Sequence, residues 1–293
     1  MNPDSGFFIA DKPSGITSSD FVLKIKKTVK IKKIGHTGTL DKFASGLMIL
    51  PFGDFTCFAS IFSECSKTYT AEVRFGKTTD SGDREGTLIE EWESERTKEF
   101  AKQNRERIEE EFNSVIGWKE QIPPKISALK VNGQRQSDLF RKNISFESKP
   151  RPIQIFSFSI LEFSETGLKF RTEVSAGTYI RKIAADVSEK LGFPMHLVSL
   201  VRETVGRFSL SDADNLERLA GNPRVYTAEE MIDWKRIPAA DTAWIRHGKK
   251  KTEYFNVSGD FFFTDEKGNI LAWCYGDGKE FHYKKVFIRN FTF

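Results

Sequence analysis

The stretch that organises this chain runs Lys33-Ile34-Gly35-His36-Thr37-Gly38-Thr39-Leu40-Asp41-Lys42-Phe43-Ala44-Ser45-Gly46. It contains three glycines, one of the chain's four histidines and a single carboxylate. Because glycine lacks a Cβ atom and tolerates positive φ, such a loop lets the backbone approach a ligand closely. The aspartate is a candidate nucleophile or base. An ordinary turn with a solvated aspartate is the alternative, and the loop alone does not choose between them.

The composition of the 293-residue chain is that of a globular protein, with 39% hydrophobic and 29% charged residues. No apolar run approaches the roughly 18 residues of a membrane span, and Met1–Ser5 lacks the features of a secretory signal. The three cysteines, Cys57, Cys65 and Cys274, form no CxxC pair. Their number and spacing argue against a disulfide framework and a structural zinc site, so we expect a cytoplasmic setting.

The positive charge of the chain is unevenly distributed, although its net value is only +4. Lysines cluster just before the glycine-rich loop, at Lys24, Lys26, Lys27, Lys30, Lys32 and Lys33. A basic cluster beside a candidate catalytic loop would attract a polyanion to it. A solvated helix face is the alternative explanation.

Hydrophobic periodicity and turn residues predict the secondary structure. The predicted elements are a strand at 7–10, a helix capped by Ser18 or Ser19, a strand at 68–75, a charged helix at about 97–115, strands at about 153–163 and 168–175, a helix opening at 177–181 and stopped by Gly192, a helix capped by Thr227 and Glu230 that ends near Trp234, and strands at 261–263, 270–274 and 285–288. Glycines recur between the last strands, which indicates a small all-β module beginning near 235–243.

Three further stretches are candidates for function. Residues 121–152 are basic and rich in turn residues, which suits a clamp on phosphates as well as a mobile surface loop. Tyr179 and Arg181 stand at a predicted helix N-terminus, where free backbone N–H groups favour anions. The polar turn at 76–86 carries Asp80 and Asp83, but it lacks the spacing and the closing glutamate of an EF-hand calcium loop.

Four sequence blocks, in order along nearly the whole chain, resemble the TruB family of bacterial tRNA pseudouridine synthases. The blocks are Asp11-Lys12-Pro13-Ser14-Gly15-Ile16-Thr17-Ser18, Gly35-His36-Thr37-Gly38-Thr39-Leu40-Asp41, Lys67-Thr68-Tyr69 through Gly76 with Thr79-Asp80, and Gly177-Thr178-Tyr179-Ile180-Arg181. Supporting pieces are Gln121-x-Pro123-Pro124, Ser127-Ala128-x-Lys130, Leu200-x-Arg202 and Gly206-x-Phe208. Any one block would be weak, whereas four in the family's order are specific.

The resemblance implies an α+β fold. Residues 1–237 would form a pseudouridine-synthase-like catalytic domain with a central, largely antiparallel sheet. Residues 238–293 would form a small, all-β, PUA-like RNA-binding domain. The basic stretch at about 122–152 corresponds to the family's thumb, an insertion that lies over the RNA.

The resemblance further implies an enzyme that flips uridine 55 out of the T-loop of tRNA and isomerises it to pseudouridine, with no metal and no organic cofactor. Its catalytic residues would be Asp41, the central carboxylate, Tyr69, which stacks on the flipped base, and Arg181, which pairs with Asp41 and keeps it charged. Three routes stay open: Asp41 attacks the sugar, Asp41 attacks the base, or the reaction forms a glycal and begins with loss of a sugar proton.

The resemblance also implies binding residues and partners. The predicted substrate-binding residues are His36, Tyr179, Lys12, Lys130 and Gly38. The expected partner is the T-arm of tRNA. We expect a monomer with no obligatory protein partner and no membrane association.

The chain departs from the family pattern beside the predicted nucleophile and in the thumb. The segment Lys42-Phe43-Ala44-Ser45-Gly46 stands where the family usually has Pro-Leu-Ala-Thr-Gly, so a proline with its fixed φ is missing after Asp41. The other departures are Ile126 and Ser137 in place of tyrosine, Cys57 in place of lysine and Asn143 in place of glycine. We expect these changes to affect contacts with RNA more than the chemistry.

Two alternative functions stay open. One is a tRNA-binding or tRNA-folding protein whose catalysis is dispensable. The other is an RNA-guided pseudouridine synthase that acts on ribosomal RNA. A pure binder has no need of Asp41, Tyr69 and Arg181 together, so the residues favour an enzyme. Modification of a tRNA transcript by the protein alone would exclude dependence on a guide.

Overall fold

The computed structural model describes residues 4–287 except 128, 132, 143 and 240, and leaves out the side chains of 130, 131, 135, 137 and 141. Its α-helices are α1 Ser18–Thr28, α2 Ala59–Ser63, α3 Ser94–Gln103, α4 Arg105–Asn113, α5 Gln136–Arg141, α6 Ile180–Leu191, α7 Leu216–Gly221, α8 Ala228–Met231 and α9 Ala243–Arg246. Its strands are β1 Gly6–Lys12, β2 Ser45–Phe52, β3 Lys67–Phe75, β4 Lys77–Thr79, β5 Leu88–Glu91, β6 Glu120–Gln121, β7 Lys130–Val131, β8 Gln134–Arg135, β9 Arg151–Pro152, β10 Ile155–Ser164, β11 Gly167–Val174, β12 Met195–Val205, β13 Phe208–Ser209, β14 Lys235–Pro238, β15 Ser258–Thr264, β16 Ile270–Asp277 and β17 Phe281–Val286. Among these residues no helix has the length and apolarity that a membrane span requires.

Within the described residues, seven strands form the sheet that positions the candidate site. Their order is β1-β2-β12-β3-β11-β10, and β13 pairs with β12. Strand β3 lies between β12 and β11 and is antiparallel to both, whereas β12 runs parallel to β2. The alternation predicted for β3 is present, because Tyr69, Ala71, Val73 and Phe75 are buried. The predicted α+β class with a largely antiparallel sheet is confirmed.

The N-terminal cap of α1 differs from the prediction. Thr17 is the cap, and its hydroxyl oxygen accepts a hydrogen bond from the Asp20 N–H at 3.1 Å. Ser18 is already helical and its hydroxyl is used elsewhere, in two 2.8 Å hydrogen bonds with the backbone of Leu40. Ser18, which local sequence rules assign to the cap, is thus engaged in a long-range contact instead.

The charged helix predicted at about 97–115 is two helices. Asn104 breaks it with φ −114° and ψ 20°, between α3 and α4. Both its backbone N–H and its side-chain Nδ2 donate to the Phe100 carbonyl at 2.9 Å. Asparagine competes in this way with continued helical bonding. Ile108 and Phe112 are fully buried, as the predicted apolar face requires.

Two other helix boundaries follow the sequence more closely. Gly192 ends α6 in the left-handed conformation, with φ +60°, as predicted. Thr227 and Glu230 form the predicted capping box at the start of α8. That helix ends at Met231, before the predicted Trp234, and residues 232–234 connect it to β14.

The chain divides into two compact units. The larger unit comprises residues 8–50 and 58–224, and contains β3, β11, β12 and α6. The terminal unit comprises residues 4–7, 51–57 and 225–287 of the described chain. It holds a four-stranded sheet in the order β14-β15-β16-β17, packed around Trp244, Phe261, Phe263 and Phe281. A small β-rich module is therefore present, while its likeness to a PUA domain and the boundary at 237/238 stay predictions.

Candidate active site

The glycine-rich loop that the sequence singled out leads directly into β2. Gly46 pairs with Arg202 across the parallel β2–β12 contact and has φ +109°. A Cβ atom on Gly46 would lie 2.4 Å from the Arg202 carbonyl oxygen, so only glycine fits. On the other side of Asp41, the two hydrogen bonds of Ser18 hold Leu40. The loop is therefore anchored on both sides of Asp41.

Asp41 forms a two-point ion pair with Arg181, which stands in the first turn of α6. Arg181 Nε donates to Asp41 Oδ2 at 2.8 Å, and Nη2 donates to Oδ1 at 3.2 Å. Two parallel charge-assisted hydrogen bonds fix the orientation of the carboxylate as well as its charge. The Asp41 side chain is 37% exposed and that of Arg181 only 4%. The carboxylate thus stays accessible while its partner is buried.

Arg181 also contacts two other parts of the chain. Its Nη1 donates to the Ser81 carbonyl at 2.7 Å and its Nη2 to the Ile126 carbonyl at 3.1 Å. The buried carboxylate of Asp83 lies 3.4 Å from Nη1. Sequence reasoning missed Asp83, although it noticed the pair of aspartates in this turn. Burial raises the pKa of Asp41 above its usual range, Arg181 opposes that rise, and Asp83 adds to it.

One cavity of about 280 Å³ brings most of the predicted residues together. Asp41, Tyr69 and Arg181 line it, together with Gly38 and Tyr179. Its volume is close to the lower end of small-molecule sites, roughly 300–1,000 Å³. The cavity can receive a planar group against the Tyr69 ring and present the carboxylate to it.

Tyr179 is held from the base of the predicted thumb. Gln121 Nε2 donates to the Tyr179 carbonyl at 3.1 Å, and the Tyr179 N–H donates to Gln121 Oε1 at 2.9 Å. The Ser127 hydroxyl contacts the Tyr179 phenol and donates to Gln136 Oε1 at 2.8 Å. Burial raises the pKa of Tyr179 above its usual value, so the phenol keeps its proton at neutral pH. Gln121 belongs to a motif noticed in the sequence but given no role there.

Two predicted substrate-binding residues are not among those that line the cavity. Lys12 is completely buried, and its Nζ donates to two backbone carbonyls of the following turn, at 3.0 and 2.8 Å. His36 is half-buried and directly precedes Thr37, which does line the cavity. The substrate contacts of both stay predictions. The structure does not describe the side chains of Lys130 and Ser137 or any part of Asn143.

Asp41 and Arg181 also line a second cavity, of about 440 Å³. Lys42, the residue that replaces the family's proline, lies in its wall. Its Nζ is 3.6 Å from Glu85 Oε1, with the two side chains 56% and 37% exposed. The Lys42 carbonyl accepts a hydrogen bond from the Gly15 N–H at 2.8 Å. A backbone hydrogen bond and a surface ion pair thus hold the position after Asp41.

One group of side chains in the described residues could approach a metal ion, namely Asp277, Glu280 and His282 of the terminal unit. Glu280 is already paired with Lys250 at 2.7 Å. Asp277 Oδ1 accepts two backbone N–H bonds at 2.8 Å, from Lys279 and Glu280. Because both carboxylates have donors in place, the group is a poor candidate for a metal site.

The sequence matches a known protein family and named relatives. The family model described as TruB family pseudouridylate synthase (N terminal domain) matches residues 26–180. The chain is 42% identical to tRNA pseudouridine synthase B of Leptospira interrogans serogroup Icterohaemorrhagiae serovar copenhageni, over 98% of this chain and 96% of that protein. It is 34% identical to tRNA pseudouridine synthase B of Aquifex aeolicus, over 84% of this chain and 86% of that protein.

Among solved structures, the fold is similar to a chain in the crystal structure of a Cbf5–Nop10–Gar1 complex. The TM-score is 0.68 at 20% identity, over 97% of this chain and 85% of that chain. At that identity the likeness concerns the fold alone. The family match and the identity to relatives over nearly their full length show that the chain belongs to the TruB family of pseudouridylate synthases.

Proposed function

We propose that this enzyme converts uridine 55 in the T-loop of tRNA to pseudouridine. A tRNA substrate is supported by the relatives that match nearly the whole chain, because they are named tRNA pseudouridine synthase B. The observation that carries the proposal is the two-point ion pair of Asp41 with Arg181 at a cavity that Tyr69 also lines. One fixed carboxylate and one aromatic ring suit a reaction that moves a uracil ring relative to its ribose.

The reaction breaks the bond between ribose C1′ and uracil N1, turns the ring and joins C1′ to C5. The C5 proton leaves and N1 ends with a proton, so the overall change is an isomerisation. The Asp41 carboxylate acts at the junction of base and sugar, by attack on either or by removal of a sugar proton. Each route begins with a charged carboxylate, and the Arg181 guanidinium favours that form.

The target base must leave its stack before this chemistry can occur. Flipping costs a few kcal/mol, and stacking on one aromatic ring recovers roughly 1–3 kcal/mol. Tyr69 is suited to this task because it extends from β3, which is paired on both sides. A ring on a central strand moves little, so it offers the base a preformed surface.

Two basic stretches support a polyanionic substrate. The exposed cations of the predicted thumb include Lys125, Lys142, Lys149 and Arg151. Those of α1 and the following loop include Lys24, Lys27, Lys30, Lys32 and Lys33. Exposed cations attract RNA phosphates without reading sequence, and their contribution decreases with salt.

The proposed function is tested by mapping pseudouridine in tRNA after incubation with wild-type protein and with Asp41→Asn. We expect wild type to modify position 55. We expect Asp41→Asn to bind tRNA with near wild-type affinity and to form no pseudouridine, because the amide removes the charge and keeps the shape. Modification by Asp41→Asn would contradict the assigned role of Asp41. Wild-type protein that binds tRNA without modifying it would favour a binding or folding function.

We also propose that the enzyme acts as a cytoplasmic monomer without a guide RNA. The test uses purified protein and an unmodified tRNA transcript with no other RNA present. Formation of pseudouridine under these conditions is the expected result. A requirement for a second RNA, or modification of ribosomal RNA alone, would contradict it.

A further inference from the structure

Arg202 is a buried cation beside Tyr69, and the chemistry described above gives it no role. It stands directly opposite Tyr69 in the β12–β3 pair, where facing side chains have Cβ atoms about 4.5–5.5 Å apart. It is only 2% exposed and lines the same cavity as Asp41. Its Nε donates to the Leu47 carbonyl at 2.7 Å, and its Nη2 to the Gly38 carbonyl at 3.1 Å.

No carboxylate neutralises Arg202 within the described residues. Its hydrogen bonds there are the two to backbone carbonyls, and its Nη1 has no partner among those residues. A Cβ atom on Gly38 would lie 3.3 Å from Nη1. The glycine therefore leaves the guanidinium room at the cavity wall, which gives a physical reason for a glycine at this position.

Lys67 adds a second cation to the same wall. It lies two residues before Tyr69 on β3, and therefore on the same face of the sheet. It is 6% exposed, lines the cavity, and its Nζ donates to the carbonyls of Ser63 and Cys65 at 2.6 Å each. It forms no ion pair with any described residue. Burial and the nearby Arg202 lower the pKa of Lys67 to about 8, so the ammonium form dominates at pH 7.

Two buried cations that form no ion pair with a carboxylate are costly, because carbonyl oxygens replace only part of the lost hydration. Glu64 raises the pKa of Lys67 without pairing with it, but this effect is smaller than those of burial and Arg202. Arg181, in the same cavity, shows the usual solution, since it meets both Asp41 and Asp83. The wall beside Tyr69 therefore carries an excess of positive charge. Any group that stacks on Tyr69 lies in that field, which is strong where water is excluded.

We propose that Arg202 and Lys67 stabilise the negative charge that uracil acquires when it leaves the ribose. This inference rests on the proposed pseudouridylation of tRNA. When the C1′–N1 bond breaks, its electron pair stays with the ring and spreads over N1, O2 and O4. C1′ is taken up by a carboxylate oxygen of Asp41, or C2′ loses a proton. On rejoining, the ring's electrons form the C1′–C5 bond as the bond between C1′ and the Asp41 oxygen breaks or, by the other route, as C2′ regains its proton. The C5 proton then leaves, and N1 gains a proton. Cations fixed beside the ring stabilise the charged intermediate without having to reorganise.

A backbone phosphate of the RNA is the other anion that these cations could meet, and binding measurements distinguish the two. Loss of a phosphate contact weakens tRNA affinity and reduces the slope of log affinity against log salt by about 1. Loss of uracil stabilisation slows the chemical step and leaves affinity and slope unchanged.

The test compares Lys67→Gln, which keeps an N–H donor but loses the charge, with Lys67→Met and Lys67→Arg. Lys169→Met is the matched control, because Lys169 faces Glu72 and Glu162 and does not line the cavity. Single-turnover pseudouridine formation is measured with enzyme in excess, and tRNA affinity is measured at several salt concentrations. We expect both neutral variants to slow the reaction by roughly 10²-fold, as for removal of a charge-stabilising donor. Affinity and salt slope should match wild type, Lys169→Met should react at a near wild-type rate, and Lys67→Arg, which keeps the charge but not the geometry, should react faster than the two neutral variants.

A neutral variant that reacts as fast as wild type overturns this inference, and so does weaker binding with an unchanged rate. Thermal melting identifies any variant that fails to fold, and the two neutral variants stress the fold differently because only Lys67→Gln can still donate to a carbonyl. Wild-type protein that forms no pseudouridine in tRNA contradicts the proposed function itself, and with it the role of these cations. An active wild type with an equally active Lys67→Gln contradicts the inference alone.

Discussion

Arg181 and Arg202 are both almost completely buried and line the same cavity, but their charges are compensated differently. Arg181 meets the carboxylates of Asp41 and Asp83, at 2.8 and 3.4 Å. Arg202 meets two backbone carbonyls and no carboxylate of the described residues. The charge of Arg181 is therefore used within the protein to hold Asp41, whereas the charge of Arg202 is left for a ligand.

One cavity thus holds two arginines with separate tasks. A buried pair in which both partners are hydrogen-bonded is rigid, and removal of one partner leaves a buried charge behind. A cation bound only by carbonyls leaves no charge behind when it is replaced. Replacing each arginine by an uncharged residue should therefore have different effects on the free energy of unfolding and on the reaction rate.

The largest effect is expected for Arg181→Met. This change leaves Asp41 and Asp83 near each other without a cation, so we expect a loss of about 3–5 kcal/mol in the free energy of unfolding. We also expect the single-turnover rate to fall by roughly 10²-fold or more, the usual cost of misplacing a reacting group by 1 Å. Urea unfolding and single-turnover pseudouridine formation measure the two effects.

Arg181→Lys is the matched control, since it keeps the charge but loses the two-point geometry. We expect it to be more stable than Arg181→Met and still slower than wild type. If Arg181→Met unfolds at the wild-type urea concentration, the contrast drawn between Arg181 and Arg202 is wrong.

A smaller effect is expected for Gln121→Ala, which tests the hydrogen bonds that hold Tyr179. The Tyr179 N–H loses its partner, at about 1–3 kcal/mol if it is left unsatisfied, whereas the Tyr179 carbonyl still accepts from the N–H groups of Lys182 and Ile183. We expect a fall in the single-turnover rate of roughly 10-fold, by the same displacement argument on a smaller scale. Gln154→Ala, at an exposed position, is the control and should behave as wild type. Equal rates for the two variants would mean that Gln121 does not position Tyr179.

The smallest effect is expected for Lys42→Ala, although Lys42 is adjacent to Asp41. Its ion pair with Glu85 is exposed, and such pairs contribute about 0–1 kcal/mol. We expect the rate to change by less than about 5-fold, the equivalent of 1 kcal/mol, at moderate salt. If the rate falls more than 10-fold in Lys42→Ala but not in Glu85→Ala, Lys42 contacts the substrate and is a third cation of the site, beside Arg181 and Arg202.

Much of the candidate site could be predicted because its residues lie in short motifs. Asp41, Tyr69 and Arg181 each stand in a block of several matching residues, and the structure brings all three to one cavity. Asp83 and Arg202 were missed as site residues for a common reason. Their roles depend on neighbours far along the chain. Asp83 lies 98 residues before Arg181, and Arg202 on β12 faces Tyr69 on the adjacent strand β3.

The fold shows the same division between local and long-range causes. Gly192 ends a helix through its own backbone conformation, so the end of that helix could be predicted from the sequence. The cap of α1 was wrongly predicted because Ser18 is engaged by Leu40, 22 residues away. The break at Asn104 was missed because the apolar spacing of the two helices continues across it.

The terminal unit, built from residues 4–7, 51–57 and 225–287, has a consequence for synthesis of the protein. Phe7 exchanges backbone hydrogen bonds with Tyr226 at 3.0 and 2.9 Å, and the Phe55 ring lies 5.5 Å from that of Phe7 and 5.7 Å from that of Phe287. A chain emerges from the ribosome at about 5–20 residues per second, so the two early segments precede their late partners by on the order of ten seconds. During that interval Phe7 and Phe55 are apolar surface on a nascent chain. Residues 225–287 therefore complete the packing of two segments that are made much earlier, and a chain that stalls before residue 225 would leave both rings available to chaperones or to aggregation.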